Sequence, residues 1–587
     1  MEDFVKGCPR PQLVREGWVC LDGEWDFLFD DGDVGVERRF FERFPKEGRL
    51  RIRVPFSYET ALSGIGAEED HGVVWYRREV CVEKREGERV LLHFEGCDFE
   101  TFVWVNGRFA GRHRGGYVRF SFDVTDVVVD GVNEVVVRAW DSRDKRQLRG
   151  KQRWKDRSFD CWYVQTTGIW KPVWLERVPE VFVKGLKLSP RLGERCVDVS
   201  AEIEGCVDGV SLETEVWFEG KQVSDVRVPV TRGCVSVSVN VYNPEICNHS
   251  VMEWSPERPS LYDVSVRLTR NGVCVDSVRS YFGMRDVRVS GSQVLLNGSP
   301  LYQRLVLNQG YWKESGLTPP DEEAMIRDID RIAALGFNGM RIHQKVEDER
   351  FLYWCDVKGM LVWCEAPSAY EFDDVMMEGF LDEWGRIVRQ FYSHPSIITW
   401  TPVNESWGVP AVKSDVRQQA FVQAIYYMTK ALDPMRPVIV NDGWEHTISD
   451  IVTLHDYQER ADLFAKKYSD PERILGNREA FNGSRYAFAD GFSYRGQPVI
   501  ISEYGGIAFQ NEEEGWGYGN KVRDEKGFLK RFGEITEAIQ RLPYVCGYCY
   551  TQATDVQQEI NGVMNMDREY KVDPEAFRAL NTRSFGY

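Results

Sequence analysis

The pattern of apolar and polar positions changes once along the chain, near residue 285. Before that point short runs alternate the two kinds of residue, as in 89–96 (RVLLHFEG), 99–111 (FETFVWVNGRFAG), 118–125 (VRFSFDVT) and 133–141 (NEVVVRAWD). Alternation puts successive side chains on opposite faces of a strand. With Gly, Asn and Asp turns between the runs, it predicts an all-β jelly roll over residues 1–180. Asn106-Gly107 predicts a tight hairpin, because both residues tolerate positive φ. Residues 181–284 continue the alternation in 212–220, 234–242 and 260–272, which predicts a second, immunoglobulin-like β-sandwich.

Residues 285–587 follow another period. Apolar positions recur at helical spacing in 321–336, 347–359, 375–393, 416–433 and 526–542, and the first of these ends on Gly336, suited to a left-handed cap. Between them stand apolar, β-branched runs at 301–308, 337–343, 360–366, 396–403, 437–442, 450–457, 498–506 and 544–552. Eight strands with helices between most of them predict a (β/α)8 TIM barrel. The chain is therefore expected to be multidomain.

Chemistry in such a barrel gathers at the C-terminal ends of its strands. Glu405 follows the fourth run and Glu503 lies at the end of the seventh, so two carboxylates face one mouth; Glu365, Asp442 and Asp456 stand at the ends of the third, fifth and sixth. Two carboxylates across a mouth suit glycoside cleavage, one protonating the leaving oxygen while the other stabilises or attacks the anomeric carbon. The acid requires a raised pKa, which charge repulsion and partial burial predict for Glu405, while Arg341, near the end of the second run, holds Glu503 ionised. Trp312, Trp363, Trp407, Trp444, Tyr457 and Tyr550 are candidates for a platform under a pyranose ring. The reaction requires no cofactor; Glu365, Asp442 and His455 form an alternative set for a divalent cation. The chain has no nucleophile elbow, phosphate-cradling loop or dinucleotide fingerprint.

Composition narrows the setting. A net charge of −18 over 587 residues excludes a polyanion-binding surface, so no nucleic acid partner is expected. No basic leader precedes an apolar run, and no window approaches the roughly 18 apolar residues of a membrane span. Many of the fourteen cysteines stand singly in strand-like runs, as in a reducing compartment, so a cytoplasmic location is expected. Cys546-Gly-Tyr-Cys549 has redox spacing but lies within an apolar strand. A homo-oligomer is compatible with the chain.

These residues together resemble the family 2 glycoside hydrolases, which include β-galactosidases, β-glucuronidases and β-mannosidases. The likeness rests on Asn404-Glu405 after the fourth strand, Glu503 after the seventh, FNGMRIH (337–343) and TTGIWKPVWLE (166–176) closing the first β module. It implies a sugar-binding jelly roll, an immunoglobulin-like sandwich and a catalytic barrel. It also implies retention of configuration, with Glu405 as acid/base, Glu503 as nucleophile, Asn404 on the sugar 2-hydroxyl, Tyr457 touching the nucleophile and Arg341 behind it. Retaining carboxyl groups stand about 5 to 5.5 Å apart. His343 either binds substrate or supports the rim. Members that cleave glucuronides carry an Asn-x-Lys element near the end of the barrel; here 560–571 reads INGVMNMDREYK, with no Lys at that spacing, and Arg304 or Lys345 would have to replace it. The resemblance thus favours a β-galactosidase acting on a small-molecule or oligosaccharide β-glycoside. A uronidase or arabinosidase of the same family is the alternative, and a non-catalytic carbohydrate-binding protein the reading from another class. The segments 459–497 and 511–520 are candidate loops over the mouth.

Overall fold

A computed structural model describes residues 5–510 and 515–583. The alternating runs of the first region fold into a six-stranded and a four-stranded antiparallel sheet with a small two-stranded ribbon, facing each other over a core of Trp25, Phe27, Tyr76, Leu92, Val103 and Val137. Asn106 and Gly107 both have positive φ, +52° and +74°, and join Glu100–Val105 to Arg108–Arg114 in a tight hairpin. The next region forms a sandwich of three and four strands around Val199, Leu212, Val264 and Phe282.

A three-stranded meander, Val287–Ser290, Gln293–Leu296 and Ser299–Pro300, leads into the barrel. Its Val287, Val294 and Leu296 pack with Leu305, Leu361, Trp363, Ile398 and Ile500, so it plugs the floor with side chains that would otherwise face water.

The barrel has seven hydrogen-bonded parallel strands: Gln303–Asn308, Gly339–Ile342, Leu361–Glu365, Ile397–Thr401, Val452–His455, Val499–Gly505 and Val545–Thr551. The eighth expected strand, 437–442, lies in the gap between Ile397–Thr401 and Val452–His455 but is held only by isolated bridges, Trp400 to Val438 and Asn404 to Asp442. Side chains of the following loop take amides that a neighbouring strand would have bound: Asp450 Oδ2 accepts from Val438 N, and Ser449 Oγ from Val440 N. This segment closes the ring without regular pairing.

Helices cover the outside, and aspartates start them. Asp321, Asp348, Asp373, Asp415 and Asp524 each accept a backbone N–H from the first turn of the helix that follows, satisfying a donor that has no intrahelical partner. Gly336, with φ +85°, lies just past Glu322–Ala334 and makes the expected left-handed exit. Segment 459–497 holds two short helices, Ala461–Tyr468 and Pro471–Ile474. Within 511–520, residues 511–514 lie outside the described residues.

The jelly roll rests on the barrel. Tyr117 N donates to Glu383 Oε1 at 2.9 Å, and the amides of Arg149 and Gly150 both donate to Ser368 O at 3.0 Å. Gly150 has φ +59°, and a Cβ there would overlap the Gln344 carbonyl oxygen, so only glycine lets this loop seat on the barrel mouth. Among the described residues no helix is long and apolar enough to cross a membrane.

Candidate active site

The strand Ile397–Thr401 is buried throughout, and beyond it the chain turns through Glu405 and Ser406, both left-handed with φ +52° and +59°. Side chains other than glycine enter this region at a cost of about 1–2 kcal/mol. The turn is held by the irregular fifth segment: Glu405 N donates to Asp442 O at 2.9 Å, Asp442 N to Val403 O at 2.8 Å, and Ser406 N to Asn441 Oδ1 at 2.9 Å. That bracing aims the Glu405 carboxylate into the mouth, where its side chain keeps 21% exposure against 6% for Glu503.

Arg341, from the second strand, is fully buried at the centre. Its guanidinium donates to Glu365 Oε2 (2.6 Å), Glu503 Oε1 (2.8 Å) and Asn404 Oδ1 (2.7 Å), and stands 2.7 Å from Asp442 Oδ2. Burial alone would discharge it, but Asp442, Glu365 and Glu503 together push its pKa well above the ordinary arginine value. Tyr457 OH donates to Glu503 Oε2 at 2.5 Å, so one oxygen of Glu503 is held by Arg341 and the other by the phenol. A carboxylate fixed in this way by charge-assisted hydrogen bonds is pre-aimed. Burial keeps His343 neutral, its pKa driven well below the usual value, and its Nδ1 accepts from Arg341 at 3.1 Å.

His455 ends the strand Val452–His455 and lies between the carboxylates. Its Nδ1 is 2.8 Å from Glu405 Oε1 and 3.4 Å from Glu503 Oε2, and its Nε2 is 2.9 Å from Asp442 Oδ2. Burial opposes its charge, but Glu503, Asp442 and Glu405 outweigh that and raise its pKa to about 10. The Glu405 carboxyl is correspondingly held below its ordinary value: burial pushes it up, and the His455 hydrogen bond and charge pull it further down. The expected rise at Glu405 is thus reversed in the free site, because the facing group is a cation. One oxygen of Glu405, one of Glu503 and the His455 nitrogen all lie within 4.8 Å of each other.

A divalent cation fits this set poorly. The guanidinium of Arg341 already stands among Glu365, Asp442 and Glu503 and His455 between Asp442 and Glu405, so the positive charge that a metal would bring comes from side chains.

Family models match in sequence across the three regions: the family 2 glycosyl hydrolase sugar-binding domain over residues 19–179, the central family 2 domain over 181–285, and the family 2 TIM barrel domain over 287–577. The chain belongs to glycosyl hydrolase family 2. It is 25% identical over 595 residues to the β-glucuronidase of Canis lupus familiaris, covering 92% of this chain and 85% of that one. It is 27% identical over 400 residues to a β-galactosidase of Thermoanaerobacter pseudethanolicus, covering 65% of this chain and 51% of the relative. A putative β-glucuronidase of Formosa agariphila is 25% identical over 430 residues, 67% of this chain and 49% of its own length. The chain thus spans about half the length of the last two relatives. In structure it is similar to the Bifidobacterium dentium β-glucuronidase complexed with coumarin-3-O-glucuronide (TM-score 0.80, 19% identity, 97% of both chains) and to a β-galacturonidase from Eisenbergiella tayi (TM-score 0.76, 20% identity, 98% of both). At these identities the structural likeness concerns the fold.

In this family 2 chain the barrel brings Glu405, Glu503, Asn404, Arg341, His343, Tyr457 and Glu365 into one network. Trp444 borders it, its ring 5.6 Å from that of His455 and its outer side under Arg485. Tyr550 is not brought to the mouth: its ring packs outward against Phe532, Phe577 and Tyr504, while its neighbour Thr551 meets Tyr457 OH at 3.1 Å. Trp363 likewise points into the barrel core, donating to Gln303 Oε1. Arg304 donates to Gly336 O near the barrel floor, and Lys345 is paired with Glu347 at 2.5 Å, so neither is a spare cation at the mouth.

The jelly-roll loop 149–165 supplies residues that strand counting missed. Trp162 meets Trp407 and Tyr370 edge-on at 5.4 and 5.5 Å, and Tyr163 OH donates to the buried Glu559. Lys151 is buried, stands against Cys161 and feels the charges of Glu559 and Glu405. Its only signal in the sequence is a dense mixture of aromatic and charged residues without periodicity, KQRWKDRSFDCWYV (151–164).

Proposed function

We propose that this chain hydrolyses a terminal β-linked sugar with retention of configuration, Glu503 attacking the anomeric carbon and Glu405 serving as acid and then base. The observation that carries the reading is the spacing of the two carboxylates, oxygen to oxygen within 4.8 Å, which leaves room for attack by Glu503 but not for a water between the groups. In the first step the Glu503 oxygen bonds to the anomeric carbon as the glycosidic C–O bond breaks, and Glu405 gives its proton to the leaving oxygen. In the second, water gives a proton to Glu405 as its oxygen displaces Glu503. Asn404, whose Oδ1 is fixed by Arg341 while its Nδ2 has no partner among the described residues, presents that N–H₂ to the sugar 2-hydroxyl. The test is a panel of 4-nitrophenyl β-D-galactoside, glucuronide, galacturonide, mannoside and α-L-arabinoside, with the first-formed anomer followed by NMR. Retained product from one sugar supports the reading. Inverted product would sink the double displacement, and no turnover on any sugar would favour a binding protein.

For the sugar, a β-galactoside is the first reading, supported by the missing Asn-x-Lys lysine. Lys151 favours a second, a β-uronide: it is a buried ammonium at the mouth that forms no ion pair among the described residues, and a uronate requires a paired cation. If the second holds, Lys151→Met lowers kcat/KM on the uronide about a hundredfold or more, the cost of removing one partner of a buried charge pair, and leaves a neutral glycoside nearly unaffected. An equal loss on both would assign Lys151 to the fold.

A further inference from the structure

Resting on that reading of Glu405 as the acid, we infer that His455 is a positioning residue that shares the catalytic proton with Glu405, so that the proton donor is the Glu405–His455 pair and not the glutamate alone. Four carboxylates, Glu365, Asp442, Glu405 and Glu503, surround two cationic side chains here. Arg341 contacts three of them and leaves out Glu405. Among the described residues, the one side-chain hydrogen bond of Glu405 is to His455 Nδ1.

The other ring nitrogen decides what that bond contains. Nε2 faces Asp442 Oδ2 at 2.9 Å and the Arg341 guanidinium at 3.5 Å. Since Asp442 is held ionised by Arg341 and His455, its pKa far below the usual carboxylate range against the push of burial, Nε2 carries a hydrogen and donates it. Nδ1 then meets Glu405 Oε1 across 2.8 Å with one proton between them, on nitrogen in the free site and on oxygen when an aglycone oxygen approaches. The remaining groups around the ring are Glu503 Oε2 at 3.4 Å, the uncharged Trp444, and Gly443, where a Cβ would come within 2.7 Å of Nδ1. His343 and His446 lie near enough to feel its charge and are themselves held neutral by burial.

The chemistry balances without a new reactant. On cleavage Glu405 passes the shared proton to the leaving oxygen, and neutral His455 keeps its Nε2 hydrogen on Asp442. In the second step the proton taken from water returns to the pair. Two coupled sites keep a shared proton to a higher pH than either site would alone.

The sign of the expected effect follows. In His455→Gln the acid titrates by itself, so the alkaline limb of kcat/KM moves to lower pH by about one unit or more. Activity at pH 8.5 falls at least about tenfold more on an alkyl glycoside, which requires protonation, than on the 2,4-dinitrophenyl glycoside, which does not. Asp442→Asn, which removes the negative charge facing Nε2, moves the limb in the same direction. A folded His455→Gln protein with an unmoved alkaline limb overturns the proposal while Glu503→Gln can still be inactive, so the two readings fail separately. If the variant does not fold, or if no sugar is turned over, ring-15N spectra of histidine-labelled wild-type protein decide. An imidazolium persisting at pH 9 supports the pair, and eight neutral rings at pH 8 overturn it.

Discussion

Glu503 is gripped from two sides and Glu405 from one. Arg341 and Tyr457 fix the two oxygens of Glu503, whereas the second oxygen of Glu405 has no hydrogen bond among the described residues. In the proposed mechanism the nucleophile must be aimed, and the acid must reach two different oxygens in turn. Glu503→Gln is therefore expected to lose about a thousandfold or more on every leaving group. Glu405→Ala should lose little on a dinitrophenyl glycoside and recover further with azide, which fills the vacated space and traps the sugar as the glycosyl azide. A Glu503 variant with near wild-type turnover would remove the assignment. The place of both glutamates at the mouth was legible in the sequence because each follows a short, β-branched apolar run of strand character. Tyr550 was misplaced because residues of a parallel strand are apolar on both faces, so nothing in YVCGYCYTQ tells inward from outward; Thr551, one position on, faces the mouth. The sequence offers His455 only as a cation ligand, since its partners Asp442 and Glu405 come from two other segments and meet it only when the ring closes.

At the level of elements, the least regular piece of the barrel has the most to do with the site. Segment 437–442 reads as a strand by composition, yet the amides of Val438 and Val440 are taken by Asp450 and Ser449, and in exchange it supplies the carbonyl of Asp442 to Glu405 N and the carboxylate of Asp442 to His455. Helices were easier to read than this strand because an aspartate cap and a helical period are local signals, whereas strand pairing is settled by neighbours distant in sequence. The meander 287–300 shows the same limit: its apolar positions are visible, but that they stopper the barrel floor is not. Leu296 packs there against barrel side chains, so Leu296→Ala should cost about 3 kcal/mol in stability, read as a lower thermal midpoint, with KM unchanged because the floor lies at the opposite end from the mouth.

Across the whole molecule, the jelly roll and barrel meet through buried acids and bases. Glu383, on Asp374–Phe391, accepts the Tyr117 amide, and burial raises its pKa to about 7. In the unfolded chain the same group titrates at about 4.3. The folded state therefore binds more protons between those values, and stability falls as pH rises through that window, by at most about 1.4 kcal/mol per pH unit from this group. Glu383→Gln keeps an acceptor for the amide and should flatten that decline between pH 5 and 7. An unchanged slope in urea titrations would locate the pH sensitivity elsewhere, Glu59, raised to about 8 by burial, being the next group to test.

The seating of Gly150 on the carbonyl of Gln344 places one module's loop over another module's bond-breaking machinery. On the proposed reading of the glutamates, residues 151–164 can change toward a new sugar or aglycone while the glutamates, Arg341 and their spacing stay as they are. Transplanting that loop between relatives, with Gly150 kept as the hinge pin, would exchange preference between enzymes that share one reaction.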